Sequence, residues 1–315
     1  MQRRDGKRTV ALALQNSATV EIVNGVIVVD KPAGMTSHDV VNRVRRITGN
    51  RKIGHLGTLD PLATGVLPLV VGRATRLAQF FTTSDKKYDA RIRFGYATDT
   101  YDREGEPTSE PMEPRFTRKD LEAALGHFRG TFMQTPPPVS AKKVGGQPAY
   151  KLARKQVAVE LKPVEVTVFA LDLVEFGEGR ARVLAHCSAG TYVRAIAHEL
   201  GTRLGCGAFV DELRRTASGD FTEEQSHTIE DLERLAESGV WSEAVIPAAR
   251  LLPHFPSAFV DATTAGNIRQ GKDFRVSPFR SQPNAKFVKA VGADGELVAI
   301  GEARLPHLYH PVLVL

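Results

Sequence analysis

Residues Gly54 to Gly65 read GHLGTLDPLATG, a stretch that fits no ordinary helix, strand or surface loop. Its glycines and its proline disfavour regular structure, yet leucines lie between them. One carboxylate, Asp60, stands in the middle, and an Asp before a Pro is by default a turn former. Glycines also let the backbone approach a ligand closely, and His55 adds a polar ring to the same loop. The stretch therefore leaves two interpretations open, a structural turn and a loop that presents a nucleophilic carboxylate.

The composition of the 315-residue chain is that of an ordinary globular protein, with 42% hydrophobic and 25% charged residues. No apolar run approaches the roughly 18–20 residues that a transmembrane helix needs. The two cysteines, Cys187 and Cys206, form no Cys-x-x-Cys pair and indicate a reducing compartment. We interpret them as buried, unreactive thiols rather than as ligands of a metal, and we expect a cytoplasmic protein without membrane contact.

Positive charge is concentrated in two segments of the chain. The sequence has 42 Lys and Arg against 36 Asp and Glu, a net charge of +6. Residues 40–52 carry five basic residues and no acid, and residues 136–164 carry six basic residues and one acid. Residues 222–243 are mostly acidic. Segregated charge of this kind favours a nucleic-acid partner, and an unevenly charged solvated surface is the alternative.

Strands and helices are mingled along the chain without regular βαβ repeats, which predicts an α+β fold. GVIVVD at residues 25–30 is a buried-strand run. Ser37 is predicted to cap a helix whose apolar stripe begins at Val40 and whose other face holds arginines. Further strands are predicted near residues 90–95, 164–175 and 180–187, and further helices at 118–127, 192–204 and 228–238.

The segment PHFP, Pro253 to Pro256, marks a predicted boundary between a large and a small domain. Beyond it, residues 286–303 alternate like a hairpin that turns at Asp294 and Gly295, and residues 308–315 resemble a last strand. Residues 99–113 are predicted to form a solvent loop. The predicted parts are a tail (1–20), a main domain (21–252) with a basic insertion at about 136–164, and a β module (253–315).

The sequence lacks three familiar catalytic signatures that parts of it resemble. Residues 65–75 lack the spacing and the lysine of a phosphate-binding loop. Residues 205–210 begin like a dinucleotide-binding fingerprint, but they lack its third glycine and follow a predicted helix. His186 stands where a nucleophile elbow needs its first glycine. None of the three supports a kinase, a dehydrogenase or a hydrolase.

Five motifs, in order, cover the chain from about Gly25 to Gly219. They are VIVVDKPAGMTSHDVV, GHLGTLDPLATGVLPLVVGRAT, SDKKYDARIRFGYATDTYDREG, TPPPVSAKKVGGQPAYKLAR, and CSAGTYVRAIAHELG followed by GAFVDELRRTASG. This series closely resembles the TruB family of tRNA pseudouridine synthases, and the bacterial stand-alone members more than their relatives in guide-RNA particles. The resemblance implies the pseudouridine-synthase fold, with a mixed, largely antiparallel central sheet flanked by helices and loops. The C-terminal module, with GELVAIGEARL, resembles a PUA RNA-binding domain.

The resemblance assigns roles to individual residues. Asp60 would be the catalytic nucleophile, acting on a uridine flipped out of the RNA. Arg194 would pair with Asp60 and keep it ionised, and Tyr88 would stack on the flipped base. Taken alone, Tyr88 is better explained as a core aromatic, Arg194 as a helix-surface residue and His55 as a structural hydrogen-bonder, and the five ordered motifs reverse this. The implied substrate-binding residues are Lys31, His55, Tyr88, Tyr192, Arg194 and Leu213, and the implied RNA-binding residues are Arg43, Arg46, Lys142, Lys143, Tyr150 and Arg154.

The resemblance thus implies an isomerase that converts uridine to pseudouridine at position 55, in the T-loop of tRNA. It implies no cofactor, no metal ion and no guide RNA, and we expect a monomer. Two alternatives stay open, a non-catalytic chaperone of tRNA folding and a subunit of a guide-RNA-dependent enzyme.

Overall fold

The computed structural model describes residues 23–140, 143–144, 147–148, 161–277 and 285–315. The helices are α1 (Ser37–Thr48), α2 (Arg118–Gly126), α3 (Val193–Arg203), α4 (Ile229–Glu237) and α5 (Ala262–Arg269), with a 3-10 helix at Gly72–Phe81 and shorter 3-10 turns. The strands are β1 (Gly25–Lys31), β2 (Ile53–His55), β3 (Thr64–Val71), β4 (Lys86–Phe94), β5 (Gly130–Gln134), β6 (Lys143–Val144), β7 (Gln147–Pro148), β8 (Val164–Gly177), β9 (Arg180–Cys187), β10 (Ala208–Ser218), β11 (Phe221–Thr222), β12 (Ser226–His227), β13 (Val245–Pro247), β14 (Ser257–Phe259), β15 (Phe274–Arg275), β16 (Phe287–Val291), β17 (Leu297–Leu305) and β18 (Leu308–Val314). No helix in these ranges is both long enough and apolar enough to cross a membrane.

Eleven of the described strands form one mixed sheet. Its main order is β12-β1-β3-β10-β4-β9-β8-β5, and β2, β11 and β13 pair alongside. The pairs β1–β12 and β3–β10 are parallel, and the other pairs are antiparallel. The predicted α+β fold with a mixed, largely antiparallel sheet is confirmed.

Strand β1 is buried on both faces, which explains its continuous apolar sequence. Ile27 and Val29 pack in one hydrophobic cluster with α1, α2, α3 and α4. Val26 and Val28 pack in a second cluster on the opposite face, with the 3-10 helix and with the C-terminal strands β17 and β18. The sheet is therefore covered by helices on one side and, at the β1–β3 end, by the C-terminal part of the chain on the other.

A second sheet of five strands, in the order β14-β16-β17-β18-β15, forms the C-terminal part. The predicted hairpin is present as β16 and β17, and the predicted last strand is β18. Lys289 on β16 is buried, and its Nζ donates hydrogen bonds of 2.9 Å to the carbonyl oxygens of Ala249 and Leu251. This lysine ties the small sheet to the segment that leads into it from the main sheet.

The predicted N-cap of α1 is wrong by one residue. Thr36 caps the helix, and its side chain and that of Asp39 form a reciprocal capping box. Ser37 is the first helical residue and contacts a different segment. Its Oγ donates to the Leu59 carbonyl at 3.1 Å and accepts from the Leu59 N–H at 2.8 Å. Ser37 thereby fixes the backbone one residue before Asp60.

The predicted solvent loop at residues 99–113 is wrong at one position, Asp102. This residue is only 4% exposed, and Thr98 beside it is also buried. The Thr98 Oγ1 donates to the Asp102 carbonyl at 2.7 Å, and the Arg103 N–H donates to the Val210 carbonyl at 3.0 Å. The loop therefore packs against the edge of the core at Asp102, while residues 106–113 are exposed as predicted.

Gly65 provides a direct test of how β3 and β10 approach each other. Its φ is +97°, and a Cβ at this position would lie 2.3 Å from the Arg215 carbonyl oxygen. We expect Gly65→Ala to lower the free energy of unfolding by at least about 2 kcal/mol, because overpacking and backbone strain add. Gly126→Ala, on α2 with no atom within 4 Å of a Cβ, is the control. It should change stability by at most about 1 kcal/mol in chemical denaturation; equal losses for the two variants would contradict the prediction.

Candidate active site

A cleft of about 630 Å³ opens where the Asp60 loop meets β4, β10 and the start of α3. The loop between β2 and β3 contributes Asp60, β4 and β10 contribute side chains from the sheet, and α3 contributes its first turn. The structure brings six of the seven residues predicted for the active site into the lining, namely His55, Asp60, Tyr88, Tyr192, Arg194 and Leu213.

The leucines of the Gly54–Gly65 stretch explain its mixed character. Leu59 and Leu62 are buried in the cluster beneath the helices, and Leu56 is buried in the cluster on the opposite face of the sheet. The side chain of Asp60 lines the cleft and stays 30% exposed. The apolar residues thus hold an irregular loop firmly while its carboxylate faces the cleft.

Lys31, the seventh predicted residue, lies behind the loop and not in the lining. Its fully buried ammonium donates to the carbonyl oxygens of Pro32 at 2.8 Å, Met35 at 2.6 Å and Pro61 at 3.1 Å. Burial lowers the pKa of Lys31 to about 8, and the nearby Asp60 carboxylate partly opposes this shift. Lys31 therefore supports the backbone on the far side of Asp60 from Ser37.

Arg194 is the principal partner of Asp60. Its Nε lies 2.8 Å from the Asp60 Oδ2, and its side chain is only 3% exposed. The contact is an ion pair rather than an aligned hydrogen bond, because this N–H has no acceptor along its direction. Nη1 donates to the Thr100 carbonyl at 2.8 Å and to the Asp102 Oδ2 at 3.1 Å, and Nη2 donates to the Val139 carbonyl at 3.0 Å. A buried guanidinium requires such partners.

Asp102 was not among the predicted site residues. Its Oδ1 accepts hydrogen bonds from the Thr100 Oγ1 at 2.6 Å and from the Glu104 N–H at 3.1 Å, which leaves Oδ2 for Arg194. The sequence signal was present in TDTYDREG, but a polar, acidic segment resembles any exposed loop. Only the fold shows that this aspartate lies against α3.

Arg215 is the second residue that the prediction missed. It is fully buried and lines the cleft, and its guanidinium donates to the carbonyl oxygens of Val66 at 2.8 Å, Thr58 at 3.3 Å and Gly57 at 3.2 Å. Its position in LRRTASG, two residues after Leu213, was the available signal. Arg215 holds the backbone just before Asp60 from the side of the sheet.

The aromatic and imidazole groups of the cleft are neutral at pH 7. Burial raises the pKa of Tyr88 and of Tyr192. Burial also lowers the pKa of His55, and the neighbouring guanidinium of Arg215 and His38 lower it further. Flat, uncharged rings of this kind are suited to contact with a nucleobase.

Tyr192 is held in place through its backbone. Its N–H donates to the Gln134 Oε1 at 2.8 Å, and the Gln134 Nε2 donates back to the Tyr192 carbonyl at 3.1 Å. Gln134 is buried at the end of β5. Because Tyr192 immediately precedes α3, this pair of hydrogen bonds also fixes the start of the helix that carries Arg194.

The predicted RNA-binding residues are only partly described. Arg43 and Arg46 are exposed on α1, and the Arg43 Nε donates to the Glu233 Oε1 at 2.7 Å, so part of its charge is neutralised within the protein. Lys142, Tyr150 and Arg154 lie outside the described residues, as does the side chain of Lys143.

Comparison with known proteins identifies the family. Residues 45–193 match the TruB family pseudouridylate synthase N-terminal domain, and residues 194–252 match the tRNA pseudouridylate synthase B C-terminal domain. A protein named tRNA pseudouridine synthase B from Solibacter usitatus (strain Ellin6076) is 60% identical over 93% of this chain and 100% of its own length. The chain belongs to the TruB family. It is therefore a pseudouridine synthase.

Other TruB-family proteins and related structures agree. A protein of the same name from Aquifex aeolicus (strain VF5) is 39% identical over 90% of this chain and 96% of its own. Among solved structures, the archaeal box H/ACA sRNP Nop10-Cbf5 complex contains a chain with a TM-score of 0.67 and 25% identity, covering 95% of this chain and 88% of that one. A Cbf5-Nop10-Gar1 complex gives a TM-score of 0.68 at 26% identity over 93% and 84%.

The Asp102–Arg194 contact can be tested in this TruB-family enzyme by Asp102→Asn. Removing one charge of a buried pair leaves the guanidinium short of a partner, so we expect unfolding to become easier by about 1–3 kcal/mol. The rate of pseudouridine formation should fall at least about tenfold, because Asp60 loses an oriented partner. Asp99→Asn, at an exposed carboxylate in the same loop, should leave both quantities near wild type. Denaturation and a single-turnover assay measure them; matching behaviour of the two variants would argue against the role of Asp102.

Lys31 predicts a pH dependence of stability. Its pKa is about 8 in the folded protein, whereas a lysine in an unfolded chain has a pKa of about 10.4. Between these values the unfolded chain binds the extra proton, so the stability of the wild type should rise with pH relative to that of Lys31→Met. Denaturation from pH 7 to 10.5 measures this difference, with Lys87→Met at an exposed lysine as the control. A wild-type advantage that shrinks as the pH rises would refute the assignment.

Proposed function

We propose that the protein converts uridine to pseudouridine at position 55 in the T-loop of tRNA, as a stand-alone enzyme with Asp60 as its nucleophile. The supporting observation is the Asp60 carboxylate at the cleft, paired at 2.8 Å with the buried guanidinium of Arg194. An arginine partner fixes the direction of a carboxylate. An ionised, oriented and partly exposed carboxylate is what a nucleophile requires.

The reaction rearranges one nucleotide without loss or gain of atoms. The bond from the ribose C1′ to the uracil N1 breaks, a bond from C1′ to C5 forms, a proton leaves C5 and another reaches N1. Asp60 attacks the nucleotide and releases it again, while the base turns within the cleft. Tyr88 stacks on the base, and Leu213 closes the apolar side of the pocket. A cleft of about 630 Å³ leaves room for this rotation.

The target uridine must leave the stacked T-loop before Asp60 can reach it. His55, a neutral ring on the rim of the Asp60 loop, takes the space that the flipped base leaves. Arg43 and Arg46 on α1, together with the basic insertion at about 136–164, contact backbone phosphates. Recognition then depends mainly on the shape of a folded RNA loop and on unstacked bases.

Residues 253–315 supply an additional RNA-binding module of the PUA type in this proposal. The docking of this part on the main sheet through the shared cluster of Val26, Val28, Leu297 and Leu313 supports a fixed orientation of the two. A module held rigidly on the main sheet extends the surface that contacts the tRNA in this proposal.

Stand-alone action is favoured over guidance by a second RNA. The structural neighbours come from Cbf5 complexes, and this is the reason to test the guided alternative as well. The curated relatives named tRNA pseudouridine synthase B match at much higher identity over nearly the whole chain, and this supports an enzyme that acts on tRNA alone.

A single assay tests the proposal. Purified protein and an unmodified tRNA transcript, with no other RNA or protein, should yield pseudouridine at position 55 and nowhere else in the transcript, as mapped by site-specific chemical detection. Asp60→Asn should abolish the product while tRNA affinity stays within about twofold of wild type, because the amide preserves shape and removes only the nucleophile.

The outcomes separate the alternatives. Product only after addition of a guide RNA would favour the guided subunit. Formation of pseudouridine by the Asp60→Asn variant would show that Asp60 is not the nucleophile. Binding and refolding of tRNA with no product from the wild type would favour a chaperone.

A further inference from the structure

Tyr101, next to Asp102, has an unusual backbone conformation. Its φ is +64°, one of four positive values among the described residues that are not glycine. A bulky aromatic residue adopts the left-handed region only when its surroundings hold it there. The contacts of Tyr101 therefore show what keeps the loop in place.

The ring of Tyr101 lies flat on the imidazole of His198. The two ring centroids are 3.7 Å apart and the planes differ by only 12°, which is the closest and most parallel ring pair in the described part of the chain. Burial lowers the pKa of His198, so the imidazole is neutral at pH 7, and its Nδ1 is buried without a hydrogen-bond partner. The stack on Tyr101 therefore covers an imidazole whose Nδ1 has no hydrogen-bond partner.

His198 and Arg194 are four residues apart on α3, so their side chains lie on the same face of the helix. Tyr101 and Asp102 are adjacent in the loop. The stack of Tyr101 on His198 therefore runs beside the ion pair of Asp102 with Arg194, one helical turn away. Two neighbouring contacts, one aromatic and one ionic, join the same loop to the same helix.

The backbone of the loop also pairs with β10 at this point, where the Arg103 N–H donates to the Val210 carbonyl at 3.0 Å. The Val210 N–H of β10 donates to the Tyr101 carbonyl at 3.0 Å, and the Tyr101 N–H donates to the Thr98 carbonyl at 3.3 Å. Gly105 turns so tightly that a Cβ there would lie 2.3 Å from the Thr100 Oγ1. The loop is thus a small, tightly closed unit that docks on the core through Tyr101 and Asp102.

We propose that Tyr101 and His198 form an aromatic clasp that positions Asp102 against Arg194 and, through Arg194, orients Asp60 for the isomerisation. Both are positioning residues, since neither lines the cleft. The inference rests on the proposed roles of Asp60 and Arg194, and it predicts an effect on the chemical step and not on tRNA binding.

Four substitutions at Tyr101 and His198 separate the effect of the ring from that of the backbone. Tyr101→Phe keeps the ring and should retain at least half of the single-turnover rate. Tyr101→Asn removes the ring, but Asn tolerates the left-handed backbone conformation better than other side chains. We expect Tyr101→Asn to lower the rate about tenfold with an unchanged Kd for tRNA. His198→Ala should lower the rate similarly, and a fourth variant, His198→Phe, which can still stack, should recover most of it.

A double-mutant comparison provides the decisive readout. In an Asp102→Asn background the clasp has no carboxylate left to position, so adding Tyr101→Asn should change the rate by less than about twofold. The same tenfold loss in both backgrounds would overturn the proposal, as would a wild-type rate for Tyr101→Asn or a loss confined to Kd. Circular dichroism confirms that each variant is folded. Wild-type activity on the same transcript is measured first, so a failure of the proposed function is recognised separately.

Discussion

The ion pair between Asp60 and Arg194 is the interaction on which the site depends. A guanidinium with 3% exposure is costly unless its donors find acceptors, and a carboxylate at a cleft is useful only if it stays charged. The two requirements are met together, because Arg194 also reaches Asp102 and two backbone carbonyls. Three distant segments of the chain must therefore fold correctly before the Asp60 carboxylate has its partner.

The loop that carries Asp60 has few regular backbone hydrogen bonds, and buried side chains supply the missing partners. Ser37 binds both polar groups of Leu59, Lys31 binds the Pro61 carbonyl, and Arg215 binds carbonyls on the other side. Each of these donors is itself buried. Satisfying an irregular backbone in this way makes it rigid, because any displacement would leave a buried carbonyl or cation without a partner. Rigidity of the loop gives Asp60 a fixed direction.

Much of the fold was predictable from local patterns. The continuous apolar run of β1 and the alternation of buried and more exposed residues in β9 are patterns typical of strands. Strand β9 has the predicted bounds, residues 180–187. Helix α4 starts after Thr228, and the Thr-x-x-Asp capping boxes at Thr117 and Thr228 mark where α2 and α4 begin. The one-residue error at α1 arises because Thr36 and Ser37 are both good caps, and the choice depends on Asp39 lying three residues after Thr36.

By itself, the sequence determined the carboxylate, its glycine-rich loop, the order of the motifs and the α+β class, because each is encoded within a few neighbouring residues. Only the tertiary structure decided that Asp102, Arg215 and Ser37 support Asp60, its loop and its partner Arg194. Asp102 and Arg194 are 92 positions apart, Arg215 and Thr58 are 157 apart, and Ser37 and Leu59 are 22 apart. No local period or propensity specifies such partners; burial in a shared core brings them together, and the need to pair buried polar groups then fixes their contacts.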